Sequence, residues 1–412
     1  MTFNIIFGFI FLETIIYFTI RYLKKDFQWL ITSSEENIYF AKDQIIKFAK
    51  NSYDKVLGWD RRPGTSKKEE IKGVGEIKKN IFTSEYHMND YNSRLNINHE
   101  HLSKKIITFG DSYTFCRHVN DNQTWQWHLS KFTNTNVVNH GVGNYGVDQS
   151  LKKMHKEIHK YKDKAEIIIL SSVPETIVRI VNMWKHYVEY GNIFGFKGRF
   201  INKRGKLCWI DNAIDDLRKL ENLELHNEKI LQHDACYTER FKKDIIKFPF
   251  TLSLLKSYKR NIPLIYFLIL RKFYLIFNIN NETIINKAYN YVMEGNHKHS
   301  ISLYKNKDYT DLLKKIIIQF KNDVASMNMQ PIYLFIPYLH DLIYFKKNKI
   351  YYNDLIHNLN HYITVVDMTE DFIQYDKIED LYVSNNYGAH LSNVGNRITA
   401  ECISRKINEV RA

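Results

Sequence analysis

A chain of 412 residues has room for a full-sized domain and a sizeable addition, and a hydrophobic fraction of 44% with 14% aromatics excludes a disordered polymer. The 59 Lys and Arg against 45 Asp and Glu give a net charge of +14, spread along the chain with no nucleic-acid signature. Nucleic acid is therefore not expected as a partner, and the charge reads as a solvated surface that suits anionic membranes or glycans. Four cysteines, Cys116, Cys208, Cys236 and Cys402, form no Cys-x-x-Cys pair, so neither a disulfide framework nor a zinc site is expected. No metal or other cofactor is indicated.

In chain order, residues 3–20 are mostly apolar, interrupted by Asn4, Glu13 and Thr14, with Arg21, Lys24 and Lys25 following. The length is at the lower edge of what spans a bilayer, and no cleavage site follows. Residues 1–25 are expected to form an apolar helix serving as a single-pass membrane anchor. If it spans, the flanking cations would leave the body on the cytoplasmic side. The competing expectation is a helix docked on the protein with Glu13 facing solvent. Residues 26–100 read as a helical and irregular extension, with a helical pattern over 36–48 and a loop over 57–64.

From residue 105 the pattern becomes α/β. Strands are expected at 105–109, 136–139, 166–171, 330–336 and 362–366, and helices at 148–161, around 349–358 and at 394–410. This alternation predicts a central parallel sheet of about five strands within a domain over 101–412. About 145 residues separate the third and fourth strands, far more than a normal crossover, so a helical insertion is expected at about 181–325. Its apolar stretch 262–279 is interrupted by Arg271 and Lys272, and a core helical hairpin is expected there, with an interfacial membrane element as the alternative.

Three stretches carry chemistry. Gly110-Asp111-Ser112 follows the first strand directly, which puts the Ser112 hydroxyl at the carboxyl edge of the sheet, where open α/β sheets place their sites. Residues 138–149, rich in glycine, follow the second strand and can lie close to a bound group. His390, in the loop before the last helix, reaches the same edge and is the candidate base for Ser112.

These blocks, Gly110-Asp111-Ser112, the loop with Asn139, Gly141, Gly143 and Gly146, and His390-Leu391-Ser392 with Gly395, resemble those of the SGNH or GDSL-type hydrolase superfamily, in the family's order. The resemblance covers about 105–180 and 326–412. It implies a flavodoxin-like three-layer sandwich, Ser112 as nucleophile and oxyanion donor, and His390 as base. It also places Asp111, Gly143 or Asn144, and Glu175 or Thr176 among the oxyanion and substrate-binding groups. Glu175 and Thr176 stand where the family has an asparagine donor, and Tyr387 stands where it has the acid that orients the histidine. A Ser-His dyad, or recruitment of Glu175 or Asp367, is then expected. The function implied is a serine esterase working through an acyl-serine on an acylated glycan or lipid. The alternatives are an O-acyltransferase on a surface polysaccharide or its precursor, and an inactive binding or scaffold protein of the same fold.

Overall fold

The computed structural model describes residues 2–36, 38–71, 82–279, 281–385 and 387–411, with side chains at all of these except 2, 3, 71 and 82. Met1, Asn37, 72–81, Asn280, Asn386 and Ala412 fall within the expected helix, extension, insertion and α/β domain, and lie outside the described residues.

The strands are β1 (Tyr53–Asp54), β2 (Gly58–Trp59), β3 (Ser66–Ile71), β4 (Phe82–His87), β5 (Lys105–Phe109), β6 (Asn136–Asn139), β7 (Ala165–Ser172), β8 (Arg199–Lys203), β9 (Lys206–Ile210), β10 (Gln330–Phe335) and β11 (Thr364–Asp367). The helices used below are α1 (Thr2–Lys24), α2 (Ser112–Phe115), α3 (Trp125–Thr133), α4 (Val147–Glu157), α5 (Thr176–Arg179), α6 (Phe250–Lys256), α7 (Tyr258–Ile276), α8 (Lys307–Ser326) and α9 (Asn393–Arg411).

Five strands form one parallel sheet in the order β11-β10-β7-β5-β6. Their continuous apolar runs, such as Ile167-Ile168-Ile169-Leu170, are those of strands covered on both faces. Ile106, Ile169, Ile332 and Leu334 pack with Leu129 of α3 and Ile403 and Ile407 of α9. Helices α4 and α8 pack together and against β7 and β10 respectively. Counted along the domain, the strand order is 2-1-3-4-5, the flavodoxin-like arrangement, whose crevice lies at the carboxyl ends of the strands.

The chain divides into two compact units, which differ from the expected boundaries. One comprises 1–49, 181–197 and 213–299; the other comprises 50–180, 198–212 and 300–412. The expected extension over 26–100 is thus split at residue 49, and the expected insertion gives up 198–212 and its last 26 or so residues to the sheet unit. The reason is local packing: β8 and β9 pair as a hairpin, and the apolar stripe Leu312, Leu313, Ile316, Ile317, Phe320 of α8 is buried. Residues 217–225 form 3-10 turns broken at Asn222.

In the first unit, α1 is not merely a peg. Ile20, Leu23 and Phe27 join Leu30, Ile246, Leu264, Leu268, Ala288 and Val292 in a core of their own. The stretch expected to be a hairpin is instead the single helix α7, which passes unbroken through Arg271 and Lys272, both good helix formers, with Lys272 paired to Asp26.

In the sheet unit, residues 53–60 are more than a loop. Buried Asp60 pairs with buried Lys153 of α4 and accepts from Asn92 Nδ2 at 3.2 Å, while Gln149 Nε2 donates to Leu57 O at 2.7 Å. A carboxylate left there without this ammonium would be a buried charge facing only Lys156, a half-exposed cation at 3.9 Å. Lys153→Met should therefore cost about 3–5 kcal/mol. The double change Asp60→Asn with Lys153→Met should recover most of it. Urea midpoints measure both, and an unmoved midpoint for Lys153→Met would show that the pair does not hold this hairpin.

Candidate active site

The chain leaves β5, in the middle of the sheet, through Gly110. A Cβ there would lie 2.0 Å from Thr114 Oγ1 and 2.6 Å from the Ser171 carbonyl, so only glycine fits. Asp111 then caps the one-turn helix α2, accepting from the Tyr113 N–H at 2.8 Å. Ser112 opens α2 and is 7% exposed. Among the described residues neither its hydroxyl nor its backbone N–H makes a hydrogen bond.

The glycine-rich loop after β6 lies directly against this turn. Val142 N–H donates to Gly110 O at 3.0 Å, and Gly141 N–H donates to Asn139 Oδ1 at 2.9 Å. A Cβ on Gly141 would stand 2.2 Å from Phe115 N, a backbone atom that cannot yield. Beyond it, residues 142–145 make a tight turn, closed by Tyr145 N–H on Val142 O at 3.3 Å, with Asn144 at φ 70°. Gly143 faces open space. Its carbonyl accepts from Trp59 Nε1 at 3.0 Å, which orients the 143–144 peptide and points the Asn144 N–H away from Trp59. Tyr145 OH donates to Trp59 O. The N–H groups of Gly143 and Asn144 make no hydrogen bond among the described residues.

Glu175 and Thr176, on the β7-α5 connection, serve neighbours of the loop. Thr176 is fully buried, and its hydroxyl accepts from Val147 N–H at 3.1 Å, at the start of α4. The hydroxyl expected among the oxyanion donors thus holds the exit of the glycine loop. Glu175 bonds Arg179 Nη2 at 2.6 Å and Tyr338 OH at 3.1 Å. The same guanidinium reaches Asp111 Oδ2 at 3.1 Å and Tyr145 O at 3.0 Å. Arg179 therefore ties both carboxylates to the loop and offsets the charge that Glu175 would otherwise present to an oxyanion. Burial still raises the Asp111 carboxyl above its ordinary range, against the opposing pull of Arg179 and the Tyr113 N–H.

His390 is brought to this edge by the residue next to Ser112. Tyr113 OH donates to Ala389 O, and its ring lies 4.9 Å from the His390 imidazole. His390 Nδ1 meets the Nδ1 of His118 at 3.2 Å, its one hydrogen-bond partner among the described residues. A contact between two ring nitrogens requires one to donate and the other to accept, as in a neutral pair. Burial, with His118 and Arg117 adding to it, drives His390 well below the usual histidine range. Burial and Arg117 lower His118 to about 4. His118 stands at φ 75° and its N–H donates to Tyr86 OH at 2.8 Å. Tyr86 OH in turn donates to Glu69 Oε2 at 2.8 Å. Burial would raise Glu69, but the fork of Arg117 on both its oxygens holds it at about 2.

Neither expected acid orients His390. Glu175 is engaged as described, and the Asp367 carboxylate, at the end of β11, accepts from Thr369 N–H at 3.0 Å and Thr369 Oγ1 at 2.6 Å. Burial raises Asp367 to about 6. The Tyr387 ring lies 4.6 Å from that of His340. His118, Trp59 and Arg179 were not singled out from the sequence. Only Arg179 left a trace there, as a cation four residues after Glu175.

No protein-family model and no curated protein matches the chain. Among solved structures, a lipolytic protein of the G-D-S-L family from Desulfitobacterium hafniense is 11% identical, over 74% of this chain and 99% of its own, with a TM-score of 0.35. A lipase/acylhydrolase from Enterococcus faecalis is 11% identical over 74% of this chain and 95% of its own, at 0.34. The acetyl xylan esterase AlAXEase is 10% identical over 73% and 97%, also at 0.34.

The two glycines of the loop differ in kind, and stability separates them. Gly141→Ala should cost about 1–3 kcal/mol or more, because α2 must move. Gly143→Ala should leave the urea midpoint within about 0.5 kcal/mol of the parent. Equal midpoints for the two would contradict the close approach of this loop to α2.

Proposed function

We propose that the protein is a serine esterase of the SGNH type that cleaves ester bonds through an acyl-serine. The observation that supports this reading is that His390 packs on Tyr113, the residue after Ser112, while the hydroxyl and N–H of Ser112 are both unbonded among the described residues.

In this reading His118 stands in for the missing acid. When His118 Nδ1 accepts, His390 carries its proton on Nδ1, and its Nε2 lone pair is free to take the Ser112 proton. Ser112 Oγ attacks the acyl carbon, and the oxyanion is met by the N–H of Ser112 and by the Gly143 or Asn144 N–H. His390 returns the proton to the leaving alkoxide, and water releases the acid by the reverse path. Ser112 and His390 are not hydrogen-bonded in the free protein, and such bonds commonly tighten only when substrate binds.

The substrate proposed is an ester-bearing glycan or lipid at a membrane. Residues 4–24 lie in one helix whose most apolar 18-residue stretch has a mean hydropathy of 1.6 with 11% of its residues buried, long and apolar enough to cross a bilayer. We read it as an anchor, with the basic flank Arg21, Lys24 and Lys25 at headgroup level.

Ser112→Ala should lower ester hydrolysis by about 10⁴-fold or more and abolish labelling by a fluorophosphonate. A folded parent protein that never labels at Ser112 would overturn the esterase reading.

His118 supplies the second test. Both imidazoles are held neutral, so kcat/KM should keep its base form well below pH 6.5, the ordinary histidine value. His118→Gly, which suits the positive φ, should lower kcat more than it changes KM. It should also move the acid limb upward, because His390 loses part of the burial that lowers it. His118→Asn, with an amide in reach of His390, should recover part of kcat. A pH profile identical to the parent's would remove His118 from the mechanism.

A further inference from the structure

We infer that the apolar anchor has a second part: α6, within the 213–299 segment, enters the bilayer beside α1 and is held there by Glu13. The inference rests on reading α1 as membrane-embedded. Glu13, near the middle of α1, is 5% exposed and accepts from the backbone N–H of Phe250 and from Thr251 at both N–H (2.8 Å) and hydroxyl. It does not face solvent.

Two costs cancel in this contact. A carboxylate at mid-span is expensive in lipid unless it is hydrogen-bonded. The first N–H groups of a helix are equally expensive there unless something accepts from them. Glu13 caps α6, and α6 satisfies Glu13. If α1 lies in the bilayer, the start of α6 goes in with it to the depth of Glu13, about 12 Å short of Arg21 at 1.5 Å per residue.

The segment then climbs back alongside α1. Phe250 packs on Tyr17, Leu264 and Leu268 on Ile20, Leu23 and Phe27, and Lys272 on Asp26. Residues later in the segment meet residues later in α1, so α6 and α7 run in the direction of α1. Helix α6 is about 10 Å long, which brings Lys256 and Lys259 back to the level of Arg21 and Lys24. Leu252 and Leu255 of α6 are 49% and 61% exposed, and Phe248, two residues before it, 68%. Apolar tips below a collar of cations fit the acyl region and headgroups of an anionic bilayer.

The test places single cysteines in the full chain, in a Cys208→Ser background, reconstituted in vesicles of phosphatidylcholine with phosphatidylserine. A bilayer-impermeant maleimide reads accessibility at Phe11→Cys for the anchor, at Leu252→Cys and Leu255→Cys for α6, and at Glu224→Cys, an exposed position, as reference. Labelling at both α6 positions should fall from the reference level to that of Phe11→Cys, and only when vesicles are present. Thr251→Val with Glu13→Leu should restore labelling at Leu252 while Phe11 stays protected. Labelled α6 with protected Phe11 would overturn the inference and leave the anchor standing. Labelling at all positions would overturn both. Protection without vesicles that grows with protein concentration would assign the face to a second copy of the chain, and would also overturn it.

Discussion

The approach of the glycine loop to the Gly110-Asp111-Ser112 turn is the constraint on which the candidate site depends. Gly141 lies so close to α2 that a single methyl group would meet the Phe115 amide, and Val142 donates to the Gly110 carbonyl. Backbones this near leave no room for side chains to mediate, so the loop must be held from its far side. Trp59, Tyr145 and the buried Asp60–Lys153 pair do this. Arg179 does it again from β7, through Tyr145 O and Asp111. Residues 53–60, distant in the sequence from Ser112 and His390, thus help to place the Gly143 and Asn144 N–H groups, unbonded among the described residues.

Electrostatics explains why no carboxylate stands behind His390. Asp111 and Glu175 are committed to Arg179, Glu69 to Arg117 and Tyr86, and Asp367 to Thr369. The position is filled by a second imidazole instead. A neutral partner can set a tautomer as an acid does, but it stabilises the imidazolium less, because it brings no negative charge. The pair suits a base that remains neutral in an apolar, cation-flanked site.

The other unit applies the same rule of satisfaction to a different solvent. Its core joins the end of α1 to Leu264, Leu268, Ala288 and Val292, while the front of α1 and α6 expose apolar side chains. Glu13 interrupts the apolar run of α1 in sequence, yet in the fold it is the group that ties the two helices.

Much of the sheet was legible because its signal is local. The β-branched apolar run Ile167-Ile168-Ile169-Leu170 reads as a strand covered on both faces, and the stripe of Ile398, Cys402, Ile403 and Ile407 as a helix with one apolar face. Gly110, Ser112 and His390 could be placed at one edge because strand-to-helix turns of a parallel sheet share that edge. Partners could not be read in this way. Whether Glu175 faces an oxyanion or a guanidinium, whether Glu13 meets water or a helix terminus, and which group backs His390 all depend on side chains far apart in sequence, from 4 residues for Arg179 to 237 for Phe250 and 272 for His118. Periodicity and turn chemistry, being properties of neighbours, specified the elements and the edge where chemistry can occur. Hydrogen bonds and burial, being properties of the packed chain, decided which groups there are free to react.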